Sequence, residues 1–358
     1  MCLQTINLAD IFTGRLLSEI PLALDALLTS LLALPNLSTV NLSDNAFGLN
    51  TVEPLRPFLS KHTPLQHLIL NNNGLGPSAG TLVAEALTTL AANKASAREA
   101  GNKVPNLETV VCGRNRLETG SMDAWVKAYS AHTHIKTVKM VQNGIRQEGI
   151  SALLQNGLSK CTELEVLDLQ DNTFTAMGAR ALADVVANWT SIKELGVGDS
   201  LLSARGGVML ADALAKGENT KLETLRLQYN ELDTKALTAL AKVAKAGKLP
   251  ALQRVELNGN KFSEDDAAIE TIKEVLDARK EDVAPDDEDE DAWGIDELDD
   301  LEEDSEDEDD GDADDDDEDA EEEKIIKEAD AAEAQPVAED KDSSVDELAA
   351  ALGKAEIK

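Results

Sequence analysis

Leu164-Glu165-Val166-Leu167-Asp168-Leu169-Gln170-Asp171-Asn172 spells L-x-x-L-x-L-x-x-N, and most of the chain repeats that spelling. Copies run Leu37-Val40-Leu42-Asn45, Leu65-Leu68-Leu70-Asn73, Leu107-Val110-Cys112-Asn115 and Ile135-Val138-Met140-Asn143 before it. After it come a weaker copy, Ile192-Leu195-Val197-Ser200, then Leu222-Leu225-Leu227-Asn230 and Leu252-Val255-Leu257-Asn260. The closing Asn or Ser returns about every 28 to 30 residues, with one step of about 42. A unit of that size buries its apolar face only against its neighbours, so the chain must stack into a solenoid.

The period and spelling are those of leucine-rich repeats. Within each copy the L-x-L pair places two side chains inward at strand spacing. The Asn then falls where the chain leaves the strand, with its amide positioned to bond backbone groups. Asn45, Asn73, Asn115, Asn143, Asn172, Asn230 and Asn260 therefore read as a structural ladder. The second half of each repeat reads as helix: Ala181, Leu182, Val185 and Val186 recur at three-and-four spacing, as do Leu237, Leu240 and Val243. The expected fold class is α/β, a ribonuclease-inhibitor-like horseshoe with parallel strands on its concave face and helices outside. The long step holds a Lys- and Ala-rich stretch, Ala91 to Asn106, expected to extend one helix and its return loop at the surface. Leu3-Ile6-Leu8 reads as one more strand, with no capping repeat before it.

Three regions follow from the composition: a repeat domain over 1–280, an acidic low-complexity tail over 281–323 and a mixed-charge segment over 324–358. Of the chain's net charge of −36, about −30 belongs to residues 281–323, which contain no Lys or Arg. Such a stretch is expected to be disordered, serving solubility or an electrostatic approach to a basic partner. In the last region Val345, Leu348 and Leu352 sit at the spacing of a short helix. Met1-Cys2-Leu3-Gln4 lacks the basic and apolar parts of a signal peptide, and no apolar run approaches membrane-spanning length. Cys112 falls on a core position. These features predict reduced, buried thiols in a soluble intracellular protein. Direct nucleic-acid binding is disfavoured, because phosphate contacts need a clustered basic face.

The residue before each ladder Asn is free to project from the rim: Asp44, Asn72, Arg114, Gln142, Asp171, Asp199 and Tyr229. A continuous polar row on a rigid scaffold suits a protein partner. No metal-ligand spacing, nucleophile–base set or phosphate loop accompanies it, so the chain reads as something other than a self-sufficient enzyme.

Several longer words resemble one family. Asp10-Ile11-Phe12-Thr13-Gly14-Arg15, Leu42 to Gly48 (LSDNAFG), Asn72-Asn73-Gly74-Leu75-Gly76-Pro77, Cys112 to Glu118 (CGRNRLE), Val138 to Arg146 (VKMVQNGIR), Leu167 to Asn172 (LDLQDN), Leu201 to Gly206 (LLSARG) and Leu225 to Asn230 (LRLQYN) resemble the GTPase-activating proteins of the small GTPase Ran, in their fungal form with an acidic tail. The resemblance covers essentially the whole chain, though the family's repeats before the T-G-R segment are missing here. It implies an activator of Ran in its GTP form, alone or with a Ran-binding protein, and no membrane partner. GTP and magnesium would be held by the GTPase, with no cofactor of the activator's own. It also implies cytoplasmic or perinuclear placement and a role in directional nucleocytoplasmic transport. It carries the catalytic role onto Asn72, which would position the GTPase's own Gln without an arginine finger; Arg15, Arg114, Arg116 and the rest of the rim row would bind the partner or brace their loops. A rival reading takes the chain as a non-catalytic acidic leucine-rich-repeat protein that binds histones or phosphatases. Its relatives use shorter repeats and lack the words at Asn72–Pro77 and Gly113–Arg116.

Overall fold

In the computed structural model, residues 3–284 and 292–302 are described. Among these described residues, ten short strands form one parallel sheet in strict chain order. They are β1 Thr5–Asn7, β2 Thr39–Asn41, β3 His67–Ile69, β4 Thr109–Val111, β5 Thr137–Lys139, β6 Val166–Asp168, β7 Glu194–Gly196, β8 Thr224–Arg226, β9 Arg254–Glu256 and β10 Gly294–Ile295. Register is one for one, so Val40 pairs with Leu68, Leu68 with Val110 and Val110 with Val138. Those central residues are buried, as are their counterparts Leu167, Leu195, Leu225 and Val255. The residues on either side face the open surface of the sheet. A single inward column with polar neighbours is what the L-x-L spacing demands once each strand's inner face is covered by its own repeat's helix.

The helices close the other side. Thr234–Lys245 starts where Asp233 caps it, its carboxylate accepting from Ala236 N at 2.8 Å, and has Lys242 and Lys245 in its last turn. Both features stabilise helix ends. It buries Leu237, Leu240 and Val243, and the helix Thr175–Val185 buries Ala181, Leu182 and Val185, the faces read from the sequence. Cys112 and Cys161 are free and buried, and burial pushes both thiols up to about 12.

The long step becomes the 24-residue helix Gly76–Glu99. Its insertion is not wholly surface, as the sequence suggested. Lys94 is 1% exposed, and its ammonium donates to the carbonyls of Thr63 (2.7 Å), Leu65 (2.6 Å) and Pro105 (2.8 Å). These hydrogen bonds tie the return loop to the preceding repeat, and burial, with Arg98 nearby, lowers the Lys94 pKa to about 7.

The boundary drawn at residue 280 also moves. The last helix among the described residues, Ala267–Val283, runs past it, and part of the acidic stretch joins the sheet. Gly294 N donates to Gln253 O, the Asp296 carboxylate accepts from Leu257 N (2.6 Å) and Asn258 N (3.1 Å), and Trp293 is buried. Leu298 and Leu301 pack on the core. Strand β10 thereby satisfies backbone groups that β9 would otherwise leave open at the sheet edge. The rest of the tail reading, including the helix expected at Val345–Leu352, lies outside the described residues.

Candidate functional site

The ladder asparagines form a chain of hydrogen bonds between repeats. Asn73 Oδ1 accepts from Asn45 N (2.9 Å), Asn115 Oδ1 from Asn73 N (2.9 Å) and Asn143 Oδ1 from Asn115 N (3.0 Å). Asn172 Oδ1 continues it by accepting from Asn143 N (3.2 Å). Each amide nitrogen donates back to carbonyls, as Asn73 Nδ2 does to Leu42 O and Asn71 O. Ser200 interrupts the series, its hydroxyl donating to Gly198 O instead. Asn230 and Asn260 resume it.

The rim row has its own backbone signature. Asp44, Asn72, Arg114, Gln142, Asp171, Asp199 and Tyr229 all have φ between +49° and +61°. Each donates its N–H to the next repeat, Asn72 N to Gly113 O and Arg114 N to Val141 O among them. This left-handed conformation turns the side chain off the sheet. Asn and Asp tolerate it, whereas Arg, Gln and Tyr hold it at a cost of about 1 kcal/mol or more. The sequence reading missed that the row begins one repeat earlier, at Asp10 (φ 55°). There the ladder position holds Ile11, so the spelling gave no signal. Arg116 (φ 51°) flanks Asn115 on its other side, so Arg114 and Arg116 project on either side of one ladder residue.

Two groups form along the row. Asn72 Nδ2 donates to Asp44 Oδ1 at 2.8 Å, both side chains being exposed. Further on, the half-buried Asp171 is held above its ordinary range by burial and then by Asp199, with Arg114 and a hydrogen bond from Gln142 opposing. The structure therefore brings Arg114, Gln142, Asp171 and Asp199 into one electrostatic group. Tyr229 is set apart: its hydroxyl donates to Asp300 Oδ2 at 2.8 Å.

Arg15 follows a turn attached to the row. Asp10 accepts from Thr13 Oγ1, and Asn45 Oδ1 accepts from Ile11 N (3.0 Å) and Phe12 N (3.3 Å). Gly14 takes φ +78°, a conformation that Gly supplies without a Cβ penalty. Arg15 is exposed. Beside Asn72, at the position Arg116 holds one repeat on, Gly74 leaves open space, with no heavy atom within 4 Å of where a Cβ would sit. Asn72 is itself exposed, so its amide is accessible to a side chain entering from outside. Among the described residues, no group of three or more His, Cys, Asp or Glu converges on a metal site, and no helix is long and apolar enough to cross a membrane.

Residues 160–183 and 218–241 match the family model described as Leucine Rich repeat. The chain is 40% identical over 278 residues to Ran GTPase-activating protein 1 of Saccharomyces cerevisiae, covering 77% of this chain and 67% of that protein. It is 31% identical over 259 residues to the Ran GTPase-activating protein of Drosophila melanogaster, covering 72% of this chain but 42% of that one. A ribonuclease inhibitor of Sus scrofa is 24% identical over 75% of this chain and 53% of its own length, in keeping with the solenoid type. The repeat architecture and these relatives place the chain in the family of Ran GTPase-activating proteins.

Proposed function

We propose that this chain stimulates GTP hydrolysis by a Ran-type GTPase, and that Asn72 does so by holding the GTPase's own water-orienting Gln in place. Small GTPases already hold the phosphates and magnesium; they are slow because that Gln and the attacking water are incompletely organised. The observation that carries the reading is the division of labour between two adjacent asparagines. Asn73 is fully buried and spends its amide on the backbone of its own and the preceding repeat. Asn72 is exposed and turned outward by a left-handed backbone, and among the described residues its side chain is bonded through one N–H, to Asp44. An amide offers both donor and acceptor to another amide, and immobilising a reacting group lowers the positional cost of the step.

Other residues of the rim serve binding. Arg15, at the end of its anchored turn, and the pair Arg114 and Arg116 supply positive charge, while Asp171, Asp199 and Gln142 supply acceptors for basic residues of the GTPase. An arginine entering the phosphate site would contribute about 10³- to 10⁵-fold. We assign none of these arginines that task, so each is expected to alter affinity more than the saturated rate. The partner is the GTP-bound form, and action on it in the cytoplasm would keep Ran in its GDP form there.

The test is release of inorganic phosphate from GTP-loaded Ran, with GTP-loaded Ras as a control. Stimulation of Ran alone supports the reading. No stimulation, together with capture of histones by the full chain but not by a chain cut after residue 302, would replace it with the acidic binding-protein reading.

A further inference from the structure

We infer that Asp44 is a positioning residue that fixes which way the Asn72 amide faces, so that the rim presents a carbonyl acceptor to the partner; the inference rests on the proposed role of Asn72. Asp44 and Asn72 occupy the same place in consecutive repeats. Both have left-handed backbones, φ 61° and 52°, and both are fastened to the following repeat, Asp44 N to Asn71 O (2.9 Å) and Asn72 N to Gly113 O (2.9 Å). The backbone therefore leaves Asn72 only its own side-chain rotations. The 2.8 Å hydrogen bond to Asp44 Oδ1 restrains those.

The identity of that neighbour sets the polarity. An ionised carboxylate only accepts, so the amide edge facing Asp44 must be the NH₂ group. Asn72 Oδ1 then faces away from Asp44, and the Asn72 side chain is exposed. A Gln that approaches would donate its own NH₂ to that oxygen. Its carbonyl would remain free to accept from the attacking water. If Asn72 were reversed, its NH₂ would compete for that carbonyl. Asp44 thus acts through Asn72 rather than on the GTPase, a different role from the partner contact that its exposure and charge suggest in the sequence. A charge-assisted bond is the suitable device, being stronger than a neutral one.

The experiment compares the wild-type chain with Asp44→Asn, Asp44→Glu and Asn72→Ala in single-turnover hydrolysis by GTP-loaded Ran, across a range of activator concentrations. Asparagine has the shape of aspartate, yet it can turn its own NH₂ toward Asn72 and so permits the reversed amide. The expected result is a saturated rate reduced about two- to fivefold in Asp44→Asn, the bias that an exposed charge-assisted bond can supply, with the half-saturating concentration unchanged. Asp44→Glu, which can only accept, should recover most of the rate. A higher half-saturating concentration with the saturated rate intact would overturn the inference and make Asp44 a partner contact. Equal rate losses in Asp44→Asn and Asp44→Glu would overturn the polarity argument. Full stimulation by Asn72→Ala would defeat the reading of Asn72 itself, whereas its loss there beside an unaffected Asp44→Asn would defeat the positioning inference alone.

Discussion

Replacing Asn73 by Ala and, separately, Asn72 by Ala should separate scaffold from site within one dipeptide. Removing the Asn73 amide leaves Asn45 N–H, donated at 2.9 Å to Asn73 Oδ1, without a partner inside the solenoid. The two carbonyls that Asn73 serves fare better. Leu42 O keeps Asn45 Nδ2 (2.9 Å), and Asn71 O keeps Asp44 N (2.9 Å). The cost is therefore one orphaned buried donor, about 1–3 kcal/mol, plus two lost hydrogen bonds that are each partly replaced, giving about 3 kcal/mol in all. Asn72→Ala loses one exposed hydrogen bond, worth well under 1 kcal/mol in water. It also places a Cβ-bearing residue without a local polar group in the left-handed region, for about 1 kcal/mol in total. Urea unfolding followed by far-ultraviolet circular dichroism, with both variants compared by midpoint and slope, measures the difference. A smaller or equal loss in Asn73→Ala would refute the ladder reasoning.

Other outcomes follow from single contacts. Lys94→Met should destabilise the chain by about 3 kcal/mol, because Thr63 O and Leu65 O lose their buried donor while Pro105 O keeps Arg98; faster amide exchange in the helix Gly76–Glu99 and its return loop would accompany it, and an unchanged urea midpoint would contradict it. His132 is buried, its Nε2 donates to Leu87 O at 2.8 Å, and burial lowers its pKa to about 4. The unfolded chain then holds more protons from about pH 6.5 down to 4, so His132 contributes stability above that window and loses about 3 kcal/mol across it as pH falls. His132→Gln keeps the N–H donor without titrating, so its acid limb of stability should be flatter; identical limbs would refute the assignment. Gly259→Ala puts a methyl group into the ring of Tyr229, at a glycine with φ +68°. It should break the Tyr229–Asp300 bond and speed proteolysis within residues 292–302, and unaltered cleavage would show that the contact does not hold that segment.

The repeat spacing made the fold legible because an L-x-L strand and its turn Asn impose the same backbone every time. The ladder–rim division was legible for the same reason: Asn73 had to serve the backbone, which left Asn72 outside. What escaped the sequence involves contacts across repeats or without a spelling. Asp10 carries the rim conformation beside an Ile where the ladder would have Asn. Lys94 lies in a Lys- and Ala-rich stretch whose composition resembles surface helix, yet three carbonyls of distant loops converge on it. Trp293, Ile295, Leu298 and Leu301 are too few among carboxylates to announce a strand, although Trp293 is buried and the other three pack against the core. The hydrogen bond between Asp44 and Asn72 spans 28 positions and depends on the lateral alignment of two repeats, which no local motif encodes.

The most direct test of the central claim is the single-turnover rate of GTP hydrolysis by Ran at saturating activator, wild type against Asn72→Ala, with binding of the same GTP-loaded Ran measured alongside. The account predicts that Asn72→Ala binds Ran as the wild type does and loses most of the rate stimulation. Full stimulation by Asn72→Ala would contradict it and return the catalytic role to another residue, with Arg15 the first to replace.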